Sequence, residues 1–357
     1  MPNKTLFPRR TFIERGVAAL GALGLAGVLA SADGLTSAAQ AAGEVNLYSS
    51  RHYDTDERLY SEFEKATGIR VNRIEDSASV LIERIKAEGE NSPADILLTV
   101  DAGRLWAADQ AGLFQPVRSD VLTSKIPENL RHPEGHWFGF STRARVIFYD
   151  KARVSNPPQT YQALAEPAYE GLVCTRTSSN IYMLSLMSAV IAHNGEDSAK
   201  AWAEGVWANR ARDPEGGDTD QLRGIASGEC AIAVANTYYF ARALRKEVRD
   251  LSGKTDGIGI VFPNQDGVGT HLNISGGGVV ANAPNRDNAI KFLEYLASPE
   301  AQAYLAAGND EYPVVEGTEL SSSVQSLGTF KSDPLPINIY GENQAKAQAI
   351  YNAAGYK

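Results

Sequence analysis

Tyrosine is the residue type through which this chain could do chemistry. Its fifteen Tyr outnumber its eleven Phe, and four of them share one context. In Ser49-Ser50-Arg51-His52-Tyr53, in Thr177-Ser178-Ser179-Asn180-Ile181-Tyr182 and in Asn236-Thr237-Tyr238-Tyr239, a strand-like run ends and Tyr follows at or just before a helix start. In doubly wound sheets the carboxyl ends of strands line the ligand crevice. Helix N-termini there present unpaired N–H groups and partial positive charge, which favour an anion. A Tyr side chain is neutral at pH 7, with a pKa of about 10, and ionises only against positive charge such as a trivalent metal ion. The phenolate is a hard oxygen donor suited to ferric iron, whereas soft metals prefer thiolates. Four phenolates around such an ion leave the cluster one unit negative, so an arginine is expected nearby. Arg143 and Arg145 are the nearest candidates in the sequence. The competing reading is that each Tyr packs its ring in a core or stacks on a sugar or an organic ligand.

Other chemistries find little support. Two Cys and five scattered His leave little for a zinc finger, an iron–sulfur cluster or a disulfide scaffold. There is no G-x-S-x-G elbow, no H-E-x-x-H and no Walker loop, and no base–nucleophile pair is evident, so an enzyme is not expected. His132, His136, His193 and His271 have no partner at metal-ligand spacing and read as surface or loop residues. Trp202 and Trp207 read as core. Gly276-Gly277-Gly278 lies in a strand-like run and reads as a place of close backbone packing rather than a phosphate cradle.

The elements that must position the tyrosines alternate along the chain. Val45–Tyr48, Ile69–Ile74 and Ala94–Val100 read as strands. Between them, one helix starts at Asp54 as N-cap with Glu57 three residues on and ends at Gly68. A second, Val80–Ala87, closes at Gly89. This β-α-β alternation predicts α/β architecture with a parallel, doubly wound sheet. The run Trp137–Tyr149 exceeds the average strand of about five or six residues and predicts a crossing between two lobes. Further on, Gly171–Arg176, Ala231–Ala235, Gly257–Phe262 and Leu272–Ala281 read as strands. Ile181–Ala192, Leu222–Ala226, Tyr239–Val248, Asn288–Leu296 and Glu300–Ala306 read as helices.

Composition sets the frame. With 357 residues, 43% hydrophobic and 22% charged, the chain is long enough for about two domains and is neither disordered nor fibrous. At its start, Arg9-Arg10 precedes an uncharged run from Gly16 to Ala32 and an A-x-A pattern at Ala39-Gln40-Ala41. This resembles a twin-arginine signal peptide over residues 1–41 and predicts export of a folded protein. Its removal takes away four basic residues (Lys4, Arg9, Arg10, Arg15) and two acidic ones (Glu14, Asp33), moving the formal charge from −9 to −11. Such an acidic chain without a basic run is not expected to bind nucleic acid or anionic membranes.

From Glu44 onward the chain resembles the iron(III)-binding periplasmic proteins of ABC transporters, the ferric-binding-protein family, and within it the FutA-like branch. The residues that carry the resemblance are Tyr48–Tyr53, Arg143-Ala144-Arg145-Val146, Ser178–Tyr182, Asn236–Tyr239, Asn273–Gly278 and Ser298-Pro299-Glu300-Ala301-Gln302. The resemblance implies a bilobal periplasmic-binding-protein fold of type II, two doubly wound lobes joined by crossing strands with a central cleft. It places 42–142 and 273–320 in lobe 1, and 143–272 and 321–357 in lobe 2. It implies capture of Fe(3+), with Fe(2+) as a second candidate cargo, and delivery by a monomer to an inner-membrane ABC permease. The implied ligands are Tyr53 from the first lobe and Tyr182, Tyr238 and Tyr239 from the second. His52 matches a position that ligates iron in some relatives and stands off it in others. Arg143 resembles a family arginine beside the metal or its anion, with a surface ion pair as its alternative. Glu75 is a weak candidate ligand, and a synergistic anion is not expected to be required. Cys174 and Cys230 fall on predicted strands of one lobe in an oxidising compartment, so a disulfide is expected, with two buried thiols as the alternative. The alternative function is a bilobal binding protein for a small organic or anionic solute.

Overall fold

The structure, a computed structural model, describes residues 43–51 and 55–357. The signal-peptide segment 1–41 and the residues His52, Tyr53 and Asp54 lie outside the described residues. Nine strands occur among the described residues: β1 (Glu44–Ser49), β2 (Arg70–Glu75), β3 (Ile96–Val100), β4 (Phe138–Asp150), β5 (Val173–Cys174), β6 (Ile232–Asn236), β7 (Ile258–Val261), β8 (Leu272–Val279) and β9 (Tyr312–Pro313). Their order is β2-β1-β3-β8-β4-β6-β5, with β7 and β9 also pairing with β4. The sheet is mixed. β1 runs parallel to β2 and β3, and β5 runs parallel to β6, as β-α-β alternation requires. β8 is antiparallel to β3 and β4, and β4 is antiparallel to β6 and β7.

β4 explains the long strand-like run. Its 13 residues span about 43 Å at the rise of an extended chain. Phe138–Ala144 pair with β8, and Arg145–Tyr149 pair with β6. One strand thus crosses between two sheets and joins two lobes, each with its own core. Leu47, Phe63, Leu105, Trp137 and Phe292 belong to the first core. Beyond the crossing, alternate residues of β4 serve opposite faces. Ile147 packs with Met187, Trp202 and Val234, while Val146 and Phe148 pack with Leu222 and Phe240. A sheet covered on both faces accounts for the apolar stretches Val146–Phe148 of β4 and Ile232–Ala235 of β6.

The three glycines of β8 are needed where the strands crowd. A Cβ at Gly276 would lie 2.5 Å from the Phe138 carbonyl oxygen, and one at Gly277 would lie 2.6 Å from that of Leu97. Gly68 ends its helix in the left-handed region at φ 71°, as expected. That helix begins at Asp56, with Thr55 in the N-cap position. Thr55 thus stands where the sequence pattern put Asp54, and the Asp56 carboxylate in the first turn pairs with Arg51 Nε at 2.8 Å. Strand pairing in 171–176 covers only Val173–Cys174, and the side chain of Thr175, the next residue, bonds the Tyr356 hydroxyl. Trp202 is buried, with Nε1 donating to the Tyr161 carbonyl at 2.6 Å. Trp207 is only half-buried, with the Arg210 guanidinium 3.9 Å over its ring.

Cys174 on β5 and Cys230 just before β6 form a disulfide, with Cα atoms 5.9 Å apart. Adjacent parallel strands bring them together, and the bridge pins the edge strand that leads to Tyr182. Gly224 makes room for it, since a Cβ there would sit 2.6 Å from Cys230 Sγ.

Candidate metal centre

Two of the three tyrosine motifs sit where strands feed helices. β6 ends at Asn236 and the helix Thr237–Leu244 begins at the next residue, so Tyr238 and Tyr239 occupy its first turn. Tyr182 lies in the first turn of the helix Ile181–Asn194, whose cap residue Asn180 accepts the Tyr182 N–H at 3.1 Å. The preceding strands, β5 and β6, are parallel neighbours, so both helix N-termini open at the same end of the sheet. The Tyr182 and Tyr238 hydroxyls stand 3.5 Å apart, and the Tyr238 and Tyr239 ring centroids 4.1 Å apart.

Arginine surrounds this cluster. The guanidinium carbons of Arg143 and Arg242 lie 5.8 and 5.4 Å from the Tyr238 ring centroid. Those of Arg145 and Arg176 lie 5.8 and 5.4 Å from the ring of Tyr182. Arg143 and Arg145 come from β4, the crossing strand, and are each 1% exposed. Burial removes the surface-ion-pair reading of Arg143. Arg145 donates to Asp218 at 2.6 Å and to the Asn236 side chain at 3.1 Å, which fixes the end of β6 immediately before the tyrosines. Arg143 donates to the Ile274 carbonyl at 2.6 Å and to Ser275 and Glu311.

Glu311 anchors a buried network under the tyrosines. It accepts from Ser141 Oγ at 2.7 Å and pairs with Arg51 at 3.2 Å as well as with Arg143. Arg51 in turn pairs with Asp56. The network therefore links the loop after β1, which leads to the third tyrosine motif, to the arginine beside Tyr238. Burial by itself would raise the Glu311 carboxyl. The Arg51 and Arg143 guanidiniums and the hydrogen bonds from Ser141 and Arg143 outweigh it and hold the pKa at about 2.

Asp101 joins three elements. It accepts from Asn273 Nδ2 at 2.7 Å and from Ser185 Oγ at 2.8 Å, tying β8 and the tyrosine-bearing helix Ile181–Asn194 to the helix Ala102–Gln110. Its carboxyl is pushed up by burial.

The structure brings together Tyr182, Tyr238 and Tyr239, with Arg143 beside them. Tyr53 and His52 lie outside the described residues. Glu75 is exposed at the end of β2 and pairs with Arg73 at 3.3 Å. Arg176, Arg242 and Glu311 escaped the sequence reading. Arg242 was within reach of it, since it falls four residues after Tyr238 on one helix face. Glu311 carries no such local signal.

The histidines depart from their expected role as isolated surface or loop residues. His132 and His136 converge on Asp109, and His193 pairs with Asp333 at 2.7 Å. His271 is buried, with its ring centroid 4.5 Å from that of Tyr340 and the two planes tilted by 41°. Sequence spacing missed the first of these because its carboxylate comes from a separate helix.

Residues 91–331 match the family described as bacterial extracellular solute-binding protein. The chain belongs to that family. As a solute-binding protein it is 51% identical over 315 residues to Iron uptake protein A1 of Synechocystis, covering 88% of each chain. It also superposes on a Trichodesmium (IdiA) (FutA) structure in complex with iron and citrate ligands, with a TM-score of 0.85 and 52% identity. That match covers 88% of this solute-binding protein and all of the Trichodesmium chain. The ferric binding protein from Campylobacter jejuni gives a TM-score of 0.82 at 40% identity, over 88% and 100% of the two chains. The fold these relatives share is the bilobal type II arrangement, with a cleft between lobes joined by crossing strands.

Proposed function

We propose that this chain captures ferric iron in the periplasm and hands it to an ABC importer of the inner membrane. The observation that carries the reading is the meeting of Tyr182 and Tyr238 hydroxyls at 3.5 Å among four arginines. Two oxygens each about 2 Å from one small cation stand about 2.8–3.5 Å apart, depending on the angle between them. Phenolate oxygens match a hard trivalent ion, and the arginines offset the negative charge of a phenolate set. The relatives' names, Iron uptake protein A1 and ferric binding protein, point the same way.

In this reading Tyr182, Tyr238 and Tyr239 take the ion in the open form, and lobe closure adds Tyr53, with His52 as a further candidate. The lobes are 42–142 with 273–320, and 143–272 with 321–357, and residues 1–41 direct export by the twin-arginine route. The expectation that no second anion is required finds no support in the Trichodesmium relative, which holds iron and citrate ligands. Citrate therefore belongs in the test.

Iron-loaded protein should show a visible phenolate-to-Fe³⁺ charge-transfer band, with and without citrate. Tyr238→Phe/Tyr239→Phe should weaken and shift the band and lose most of the affinity. Because each phenol gives up a proton on binding, affinity should also fall as pH drops. Undiminished ferric affinity in the double variant would remove the site assignment, and a colourless protein that takes up no ferric iron would remove the function.

A further inference from the structure

A second cluster of metal-binding groups lies among residues of the first core's surface, on elements other than those that carry the tyrosines. Asp109 stands near the end of the helix Ala102–Gln110, while His132 and His136 bracket a tight turn just before β4. Backbone bonds hold that turn at both ends and in the middle. Gly135 N–H donates to the His132 carbonyl at 3.0 Å, His132 N–H to Trp137 at 2.9 Å, and Val117 N–H to Gly135 at 3.0 Å. Gly135 takes φ 78°, and its own lack of a Cβ lets Val117 approach. The two imidazoles stack, with centroids 4.4 Å apart and planes within 5° of parallel. Both face one carboxylate. Asp109 Oδ2 is 3.5 Å from His132 Nε2, and Oδ1 is 2.5 Å from His136 Nδ1.

We propose that Asp109, His132 and His136 form a second cation site, for a divalent ion of the zinc class. Two imidazole nitrogens and a carboxylate oxygen are borderline donors. They suit Zn²⁺ and its neighbours rather than the hard trivalent ion that phenolates suit. Ligand atoms at about 2.0–2.2 Å from a tetrahedral ion stand about 3.3–3.6 Å from one another. The His132–Asp109 separation already has that value. The His136–Asp109 hydrogen bond, made to the other carboxylate oxygen, opens by about 1 Å to admit the ion, and one of the two parallel rings turns so that both nitrogen lone pairs point at it. Coordination through His132 Nε2 leaves its ring proton on Nδ1, so the contact that Nδ1 now accepts from the Glu134 N–H at 3.2 Å is given up. Glu134 also offers a carboxylate 3.7 Å from His136 Nε2, where it orients the ring from its far side. The three side chains are 10–23% exposed, and His132 and His136 border a surface hollow that also includes Pro116, Arg118 and Glu134. A fourth ligand position is therefore open to water.

The test uses tag-free mature protein with Tyr182→Phe/Tyr238→Phe/Tyr239→Phe, which removes the described tyrosine cluster as a competitor. Titration with Zn²⁺ by calorimetry is expected to give one ion per chain, and Co²⁺ is expected to give tetrahedral d–d absorption. His132→Gln and His136→Gln should each weaken Zn²⁺ at least tenfold, and Glu134→Gln should do so by roughly tenfold or more through ring orientation. A readout free of these variants is the imidazole NMR spectrum, in which Zn²⁺ should move His132 and His136 and leave His193 and His271 in place. Unchanged Zn²⁺ affinity in both histidine variants overturns the proposal. So do unmoved His132 and His136 resonances at equimolar Zn²⁺.

Discussion

Replacing Glu311 by Gln tests whether the buried network under the tyrosines is held by charge. Gln keeps the shape and some of the hydrogen bonding of the side chain, and resembles its protonated form. In the folded protein the carboxyl has a pKa of about 2, against about 4.5 for the ordinary group. With about 1.4 kcal/mol for each unit of pKa, ionised Glu311 contributes about 3 kcal/mol of stability at neutral pH. The same order is expected for breaking a buried ion pair, at about 3–5 kcal/mol. Since the folded pKa is the lower one, this contribution is complete above about pH 5 and is lost as pH falls from 4.5 towards 2. Urea unfolding of the wild type and of Glu311→Gln should therefore differ by about 3 kcal/mol at pH 7. The gap should shrink to less than half of that by pH 3. Taking the difference between the two proteins cancels the other acid-titrating groups. A gap below 1 kcal/mol at pH 7, or one that stays constant from pH 7 to pH 3, would refute the reasoning.

Other outcomes follow from the same geometry. Cys174→Ser/Cys230→Ser should lower stability by about 4 kcal/mol on the chain-entropy model, because the bridge closes a 56-residue separation. Denaturant unfolding with and without reductant checks this, since reductant should weaken the wild type and leave the variant unmoved. His271 has its pKa pushed down to about 3, by burial first and then by the neighbouring positive charge of Arg145 and His193. The unfolded chain takes up that proton first, so the stability linked to His271 is complete above about pH 6.5 and is lost as pH falls towards 3. Its imidazole NMR shifts should stay flat down to pH 4, and a titration midpoint above pH 5 would contradict its burial.

Helix stops and strand runs were legible in the sequence because they depend on neighbours along the chain. Gly68 closes its helix in the left-handed conformation whatever packs on it, and the length of β4 appears in a run of aromatic and β-branched residues that no Pro interrupts. The strand directions were less legible. β-α-β alternation accounts for the parallel pairs, but the antiparallel placement of β8 comes from a strand that returns late in the chain to sit between β3 and β4. Periodicity carries no record of which strand a distant segment will pair with.

The sequence by itself determined that tyrosines follow strands at helix starts, and that the metal such donors favour is a hard one. Only the tertiary structure decided that Tyr182 and Tyr238, 56 residues apart, bring their hydroxyls together. It also decided that Glu311 closes a network with Arg51, 260 residues away, and that Asp109 meets a histidine pair on another segment. Donor chemistry belongs to single side chains and can be read one residue at a time. Convergence belongs to the crossing strands and parallel neighbours that fix where each helix begins, and these exist only once the chain has packed.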